Sequence, residues 1–178
     1  MKKAIVCALV AAVSVVALVA GPFGLEMGMT LDEVTTACGG RAPVDIGGGR
    51  YIVTPDKANP LFAECIAWIS ESEGLIALRA NGEDVLSNAE GDELAGEFSA
   101  VQKSLEEVYG SARLSDESPE GQRVLQADWF PEGGDVEWLC LVAEGTASSA
   151  YLFVQYTFSN YQSAQETSPQ PPAAEDVF

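Results

Sequence analysis

Three extended apolar runs, VLQADWF, VEWLCLVA and AYLFVQYTF, occupy Val124 to Phe130, Val136 to Ala143 and Ala150 to Phe158. Only Gly133-Gly134 and the stretch from Gly145 to Ser149 turn the chain between them. Two parallel strands need a crossover of a dozen residues or more, so connections this short make neighbouring strands antiparallel. The same grammar occurs earlier in the chain. RYIVT reads as a strand after the glycine-rich loop Gly47-Gly48-Gly49, and Leu61 to Ile69 reads as a second. Ser70 to Gly74 is then a turn, and Leu75 to Arg79 returns as a hairpin strand.

Each set of strands is preceded by a helix. Thr30-Leu31-Asp32-Glu33 fits a capping box, in which Thr30 accepts from the Glu33 amide while Glu33 reaches back. Met29 and Val34 are placed for a hydrophobic staple, Leu31, Val34 and Cys38 recur at helical spacing, and Gly39-Gly40 supplies a left-handed stop. A short strand, Phe23 to Met27, is expected before it. The second helix is marked by Leu94, Phe98, Val101, Leu105 and Val108 on one face and ends at Gly110. The expected class is therefore α+β: two helix-plus-antiparallel-sheet units, α-β-β-β twice over, with the helices on one side of the sheet. The repeats span residues 21–80 and 90–158 within a single domain, 21–158. From Ser159 the chain is polar and proline-bearing, and residues 159–178 read as a disordered tail.

Residues 1–20 have the pattern of a secretory signal peptide: Lys2-Lys3, then Ala4 to Ala20, apolar except for Ser14. Cleavage after Ala20 would leave Gly21 first, with cleavage after Ala17 as the fallback. The competing reading is an uncleaved N-terminal anchor, the single route to a membrane for this chain. The mature chain would hold seven basic against 27 acidic residues, a net charge of −20. Phosphate backbones and anionic lipid surfaces repel such a chain, which excludes nucleic acid as a partner. An exported location, periplasmic or extracellular, follows from the signal. Its oxidising character would allow one disulfide among Cys38, Cys65 and Cys140. The sequence does not choose among the three pairings, and three small buried core residues account for these cysteines equally well.

Gly28-Met29-Thr30, with Val34 and then Gly39, resembles the "G-M-T-x-x-x-V … G" helix start of two related groups. One comprises small outer-membrane-assembly lipoproteins of the BamE type; the other is that of the β-lactamase inhibitory protein, built from two helix-plus-sheet repeats. The likeness covers about a dozen residues. The second helix, GEFSAVQKSLEEVYG, lacks the motif, and no lipid-attachment cysteine follows the apolar run. The chain also looks like secreted bacterial proteins with a PFGL-x-MGM start. What the resemblance implies is a protein-binding module without an active site.

The residues themselves point the same way. The chain contains no histidine, so Ser–His–Asp and Cys–His arrangements and a His-containing zinc site are impossible. No nucleophile elbow, P-loop or dinucleotide fingerprint is present, and no cofactor is expected. Glu71 and Glu73 are candidates for acid–base work, and Glu83, Asp84, Glu90, Asp92 and Glu93 are candidates for adventitious calcium, each set against the simpler reading of a solvated loop.

In the last strand Leu152, Val154, Tyr156 and Phe158 form one continuous apolar face, leaving Tyr151 and Phe153 on the other. Trp129 and Trp138, on neighbouring strands, are candidates to join them. Tyr151, Phe153, Trp129 and Trp138 are thus the expected contact residues, provided that the second sheet face is bare; a sheet covered on both sides would bury them all. The expected function is an exported, non-enzymatic protein-interaction module of the cell envelope, its partner another envelope or secreted protein. The alternatives are an exported enzyme using carboxylates and a soluble envelope domain without a defined ligand.

Overall fold

Thr30 and Glu33 close the first helix reciprocally: the Glu33 N–H donates to Thr30 Oγ1 at 3.3 Å, and the Thr30 N–H donates to Glu33 Oε2 at 2.8 Å. The Thr30 N–H and, second, the Thr30 hydroxyl, which donates to the same oxygen at 2.9 Å, hold the Glu33 carboxyl below its ordinary pKa. Helix α1 (Leu31–Ala37) ends at Gly39 and Gly40, whose φ values are 65° and 78°. The Gly40 N–H bonds Thr35 O at 2.9 Å and the Gly39 N–H bonds Thr36 O at 3.0 Å, the paired bonds of a Schellman stop.

The computed structural model describes residues 21–84, 92–116, 122–146 and 149–167. After α1 come β1 (Val44–Gly47), β2 (Arg50–Val53), β3 (Glu64–Ser70) and β4 (Gly74–Asn81). Helix α2 (Asp92–Tyr109) leads to β5 (Arg113–Asp116), β6 (Gln122–Trp129), β7 (Val136–Thr146) and β8 (Ala150–Phe158), and α3 (Tyr161–Thr167) follows. All eight strands form one antiparallel sheet in the order β1-β2-β3-β4-β8-β7-β6-β5. The antiparallel α+β class is as expected, but the unit is not α-β-β-β. Helices α1 and α2 each precede four strands, and the two halves join through the β4–β8 pair.

The extra strands, β1 and β5, are four residues each and lie at the two edges of the sheet. Gly47-Gly48-Gly49 is the turn of a β1–β2 hairpin rather than a free loop, with all three glycines at positive φ. β5 pairs with β6 at the far edge. The strand expected over Phe23 to Met27 is instead a 3-10 turn, Pro22–Gly24. Its backbone continues to the β3–β4 turn, where Gly28 N–H bonds Leu75 O at 2.9 Å and Leu75 N–H bonds Met29 O at 2.8 Å. A Cβ on Gly74 would lie 2.1 Å from Gly28 O, so this approach needs glycine, which also tolerates the φ of +66° there.

One buried cluster runs along one side of the sheet through both halves, from Val34 and Val53 to Trp129, Leu139, Val154 and Phe158. Helix α2 lies over β6, β7 and β8. Its Leu94, Phe98 and Val101 are buried, whereas Val108 is 66% exposed and Tyr109 takes the inward place, 6.4 Å from the ring of Tyr156. Two further expectations are corrected at the C-terminus. Tyr161–Thr167 is helical where a disordered tail was expected from Ser159, and α3 lies on the side of the sheet opposite the core cluster. Its Ala164, 2% exposed, shares a cleft with Trp68 and Ile76. The rest of the expected tail, 168–178, and the expected signal segment, 1–20, fall outside the described residues.

Candidate functional site

Strand register settles which side chains share the face opposite the core cluster, because side chains alternate along a strand except at the bulges near Trp68 and Trp138. One row across the sheet reads Arg50, Trp68, Ala77, Thr157, Trp138. The next reads Ile52, Ile66, Arg79, Gln155, Cys140, Asp128, and a third Glu64, Asn81, Phe153, Val142, Gln126. Tyr151, Glu144 and Val124 form the last. Apart from α3 at one corner, no helix among the described residues packs on these rows.

Phe153 is the centre of an ordered network. The Arg79 guanidinium carbon lies 3.7 Å from its ring centroid, and the Tyr151 ring stacks on its other neighbourhood at 6.2 Å and 18°. Arg79 Nε donates to Asn81 Oδ1 at 2.8 Å, and Asn81 Nδ2 donates to Glu64 Oε1 at 3.2 Å. The Tyr151 hydroxyl donates to Glu144, which, with burial, raises the Tyr151 pKa. Trp138 is held in its turn: Nε1 donates to Asp128 Oδ1 at 3.0 Å, while Gln126 donates to the other carboxylate oxygen at 2.8 Å.

Tyr151, Phe153 and Trp138 therefore share one face, each half-buried. Trp129 does not join them. It pairs with Leu139 on the core side, is 1% exposed, and donates Nε1–H to Gly110 O at 2.8 Å. In its place the fold brings Trp68 and Arg79, which the reading of the residues did not single out. Trp68 stands three strands from Trp138, about 14 Å at the usual strand spacing. The two are separated only by Ala77 and Thr157, which are 2% and 8% exposed.

The carboxylates of the enzyme alternative are placed differently. Glu71 and Glu73 line an open cleft of about 430 Å³ beside Thr30, Tyr51 and Gly74. No nucleophile–base pair is held in it among the described residues. The cleft under α3, about 440 Å³, is lined by Gly49, Trp68, Ile76, Ala164 and others, with Glu71 as its ionisable group. Among the described residues no three Cys, Asp or Glu side chains converge as metal ligands. The acidic loop proposed for calcium lies partly outside those residues, at 85–91. No described helix is long and apolar enough to cross a membrane. Comparison with known proteins gives no match: no family model, no curated protein and no solved structure is significantly similar to the chain.

Proposed function

We propose that this chain is an exported, non-enzymatic protein-interaction module, and that the partner seats on the part of the sheet face that α3 leaves open, around Trp138, Phe153 and Tyr151. The observation that carries this reading is the network on that face. Aromatic rings held in place by Arg79, Asp128 and Glu144 lose little side-chain entropy on contact, and Tyr, Trp and Arg dominate interface energetics. The occupant is a partner protein with a basic rim. Glu64, Asp128 and Glu144 sit on this face with lone pairs to spare, on a chain of net charge −18, or −20 without residues 1–20. Two copies of so acidic a chain repel one another, which disfavours self-association through it.

The test compares wild type with the Tyr151→Ala/Phe153→Ala double variant. Each is immobilised and exposed to envelope extract, and a captured protein is then purified and titrated against both. A basic partner held by wild type, lost by a variant that melts normally, and released as salt rises supports the reading. A variant that binds the partner equally well, or that unfolds, overturns it. The export half is tested separately: N-terminal sequencing of the chain from the producing cell should start at Gly21, and recovery of Met1 would refute cleavage.

A further inference from the structure

The fold sorts the three described cysteines, which the sequence leaves equivalent. Cys38 and Cys65 belong to the buried cluster on the helix-covered side, whereas Cys140 pairs with Gln155 on the opposite face, beside Asp128 and Arg79. A sheet lies between Cys140 and the other two. Cys38 and Cys65 are brought together by adjoining contacts. Cys65 lies directly across from Val53 in the β2–β3 ladder, and both side chains are buried on the same side. The next residue, Thr54, begins the segment that lies against the end of α1. The end of α1 is clamped to this same segment: Asp56 N–H bonds Ala37 O at 3.3 Å, Arg41 Nη2 bonds Thr54 O at 2.9 Å, and Arg41 pairs with Asp56. Cys38, at the C-cap of α1, is thus held against the segment that follows Val53, on the side of the sheet where Cys65 is buried.

We infer that Cys38 and Cys65 form the disulfide-competent pair of this chain, tying the C-terminus of α1 to β3, and that Cys140 takes no part. The oxidant is an external disulfide, in the test oxidised glutathione. One cysteine thiolate attacks it and expels a glutathione thiolate; the second cysteine thiolate attacks the mixed disulfide and expels the other. Two protein thiols are oxidised and one external disulfide is reduced, the two protons given up by the protein thiols being taken up by the two expelled glutathione thiolates. Both sulfurs are buried in the folded chain, so the exchange takes place while the chain folds. That the bond is present in the cell rests on the exported location proposed above.

The experiment refolds wild type, Cys140→Ala and Cys65→Ala from denaturant in a glutathione redox buffer. Free thiols are then alkylated and non-reduced digests mapped by mass spectrometry. A Cys38–Cys65 peptide is expected in wild type and in Cys140→Ala. Oxidation should raise the folding equilibrium constant about a hundredfold in both, a gain absent from Cys65→Ala. Cys38 and Cys65 found alkylated after oxidative refolding, or either found joined to Cys140, overturns the inference. A chain that forms the bond in the tube but carries free thiols when taken from the cell supports the pairing and refutes export instead.

Discussion

The guanidinium carbon of Arg79 lies 3.7 Å from the ring centroid of Phe153, on strands that neighbour each other at the centre of the sheet. This contact joins the two halves of the chain on the face that no core element covers. Through Asn81 and Glu64 it reaches β3, and through Tyr151 and Glu144 it reaches β7. The arginine carries no carboxylate partner of its own in this network and is held by a ring and an amide.

Arg79→Met keeps the stem and removes the charge. Loss of the cation–π contact and of the Asn81 bond should cost about 1 kcal/mol in urea denaturation, with the fold retained. A loss of several kcal/mol would mean that this face is core rather than surface.

Trp129 and Trp138 should behave oppositely, although each sits near one end of its strand. Trp129→Ala opens a cavity in the core and strands Gly110 O, at a cost of about 3–5 kcal/mol. Trp138→Ala removes a half-buried ring from the open face and should cost about 1 kcal/mol. Equal losses in chemical denaturation would show that the two faces are assigned wrongly.

The placement of Trp129 was legible in β6 itself. Gln126 and Asp128 alternate there with Leu125, Ala127 and Trp129, so the polar pair marks the open face and puts the tryptophan with the apolar set. In β7 both sets are apolar and only pairing with β8 decides. The capping box, the long hairpins and the α2 helix could be read because each is specified by residues close in sequence. β1 and β5 could not: both are four-residue edge strands, β1 is exposed throughout, and each exists because a neighbouring strand offers it a ladder. The row that holds both Trp68 and Trp138 joins strands from opposite halves of the chain, a juxtaposition with no local signal. The sorting of the cysteines is hidden for the same reason.

Alkaline pH should weaken the reduced protein. Burial, chiefly, pushes Cys65 and Cys140 up to about 11 from an ordinary 9, and pushes Tyr156 higher still. The unfolded chain therefore gives up these protons first. The stability contributed by the neutral thiols is complete below pH 9 and is lost as pH rises through 11, about 2–3 kcal/mol for each. Urea midpoints measured across this range should fall, and Cys140→Ala should fall less. With the Cys38–Cys65 bond formed, the Cys65 share of the slope disappears. A flat profile in the reduced protein would show that the thiols are hydrated.

Helix α3 yields the prediction that departs furthest from the composition of its segment. YQSAQET is polar and is followed by prolines, which argues for a solvated tail. What holds it is not its own propensity but two contacts at its start and middle. Asn160 Nδ2 donates to Glu73 O at 2.9 Å and to Leu75 O at 3.2 Å, the carbonyls of the β3–β4 turn and the start of β4. One turn later Ala164 is buried in the cleft that Ile76 lines, and Ile76 itself is only 7% exposed. Ending the chain at Ser159 would remove the Asn160 bond to Glu73 O, leave Leu75 O to the Gly28 N–H alone and uncover Ile76, and should lower stability by about 1–3 kcal/mol. Ending it at Thr167 keeps both contacts and should change nothing measurable. Ala164→Asp, in the full chain, places a charge in the same cleft and should reproduce most of the loss without shortening anything. If the cut at Ser159 leaves the urea midpoint where it was, α3 does not cover this corner, and the open face extends across Trp68 to the sheet edge.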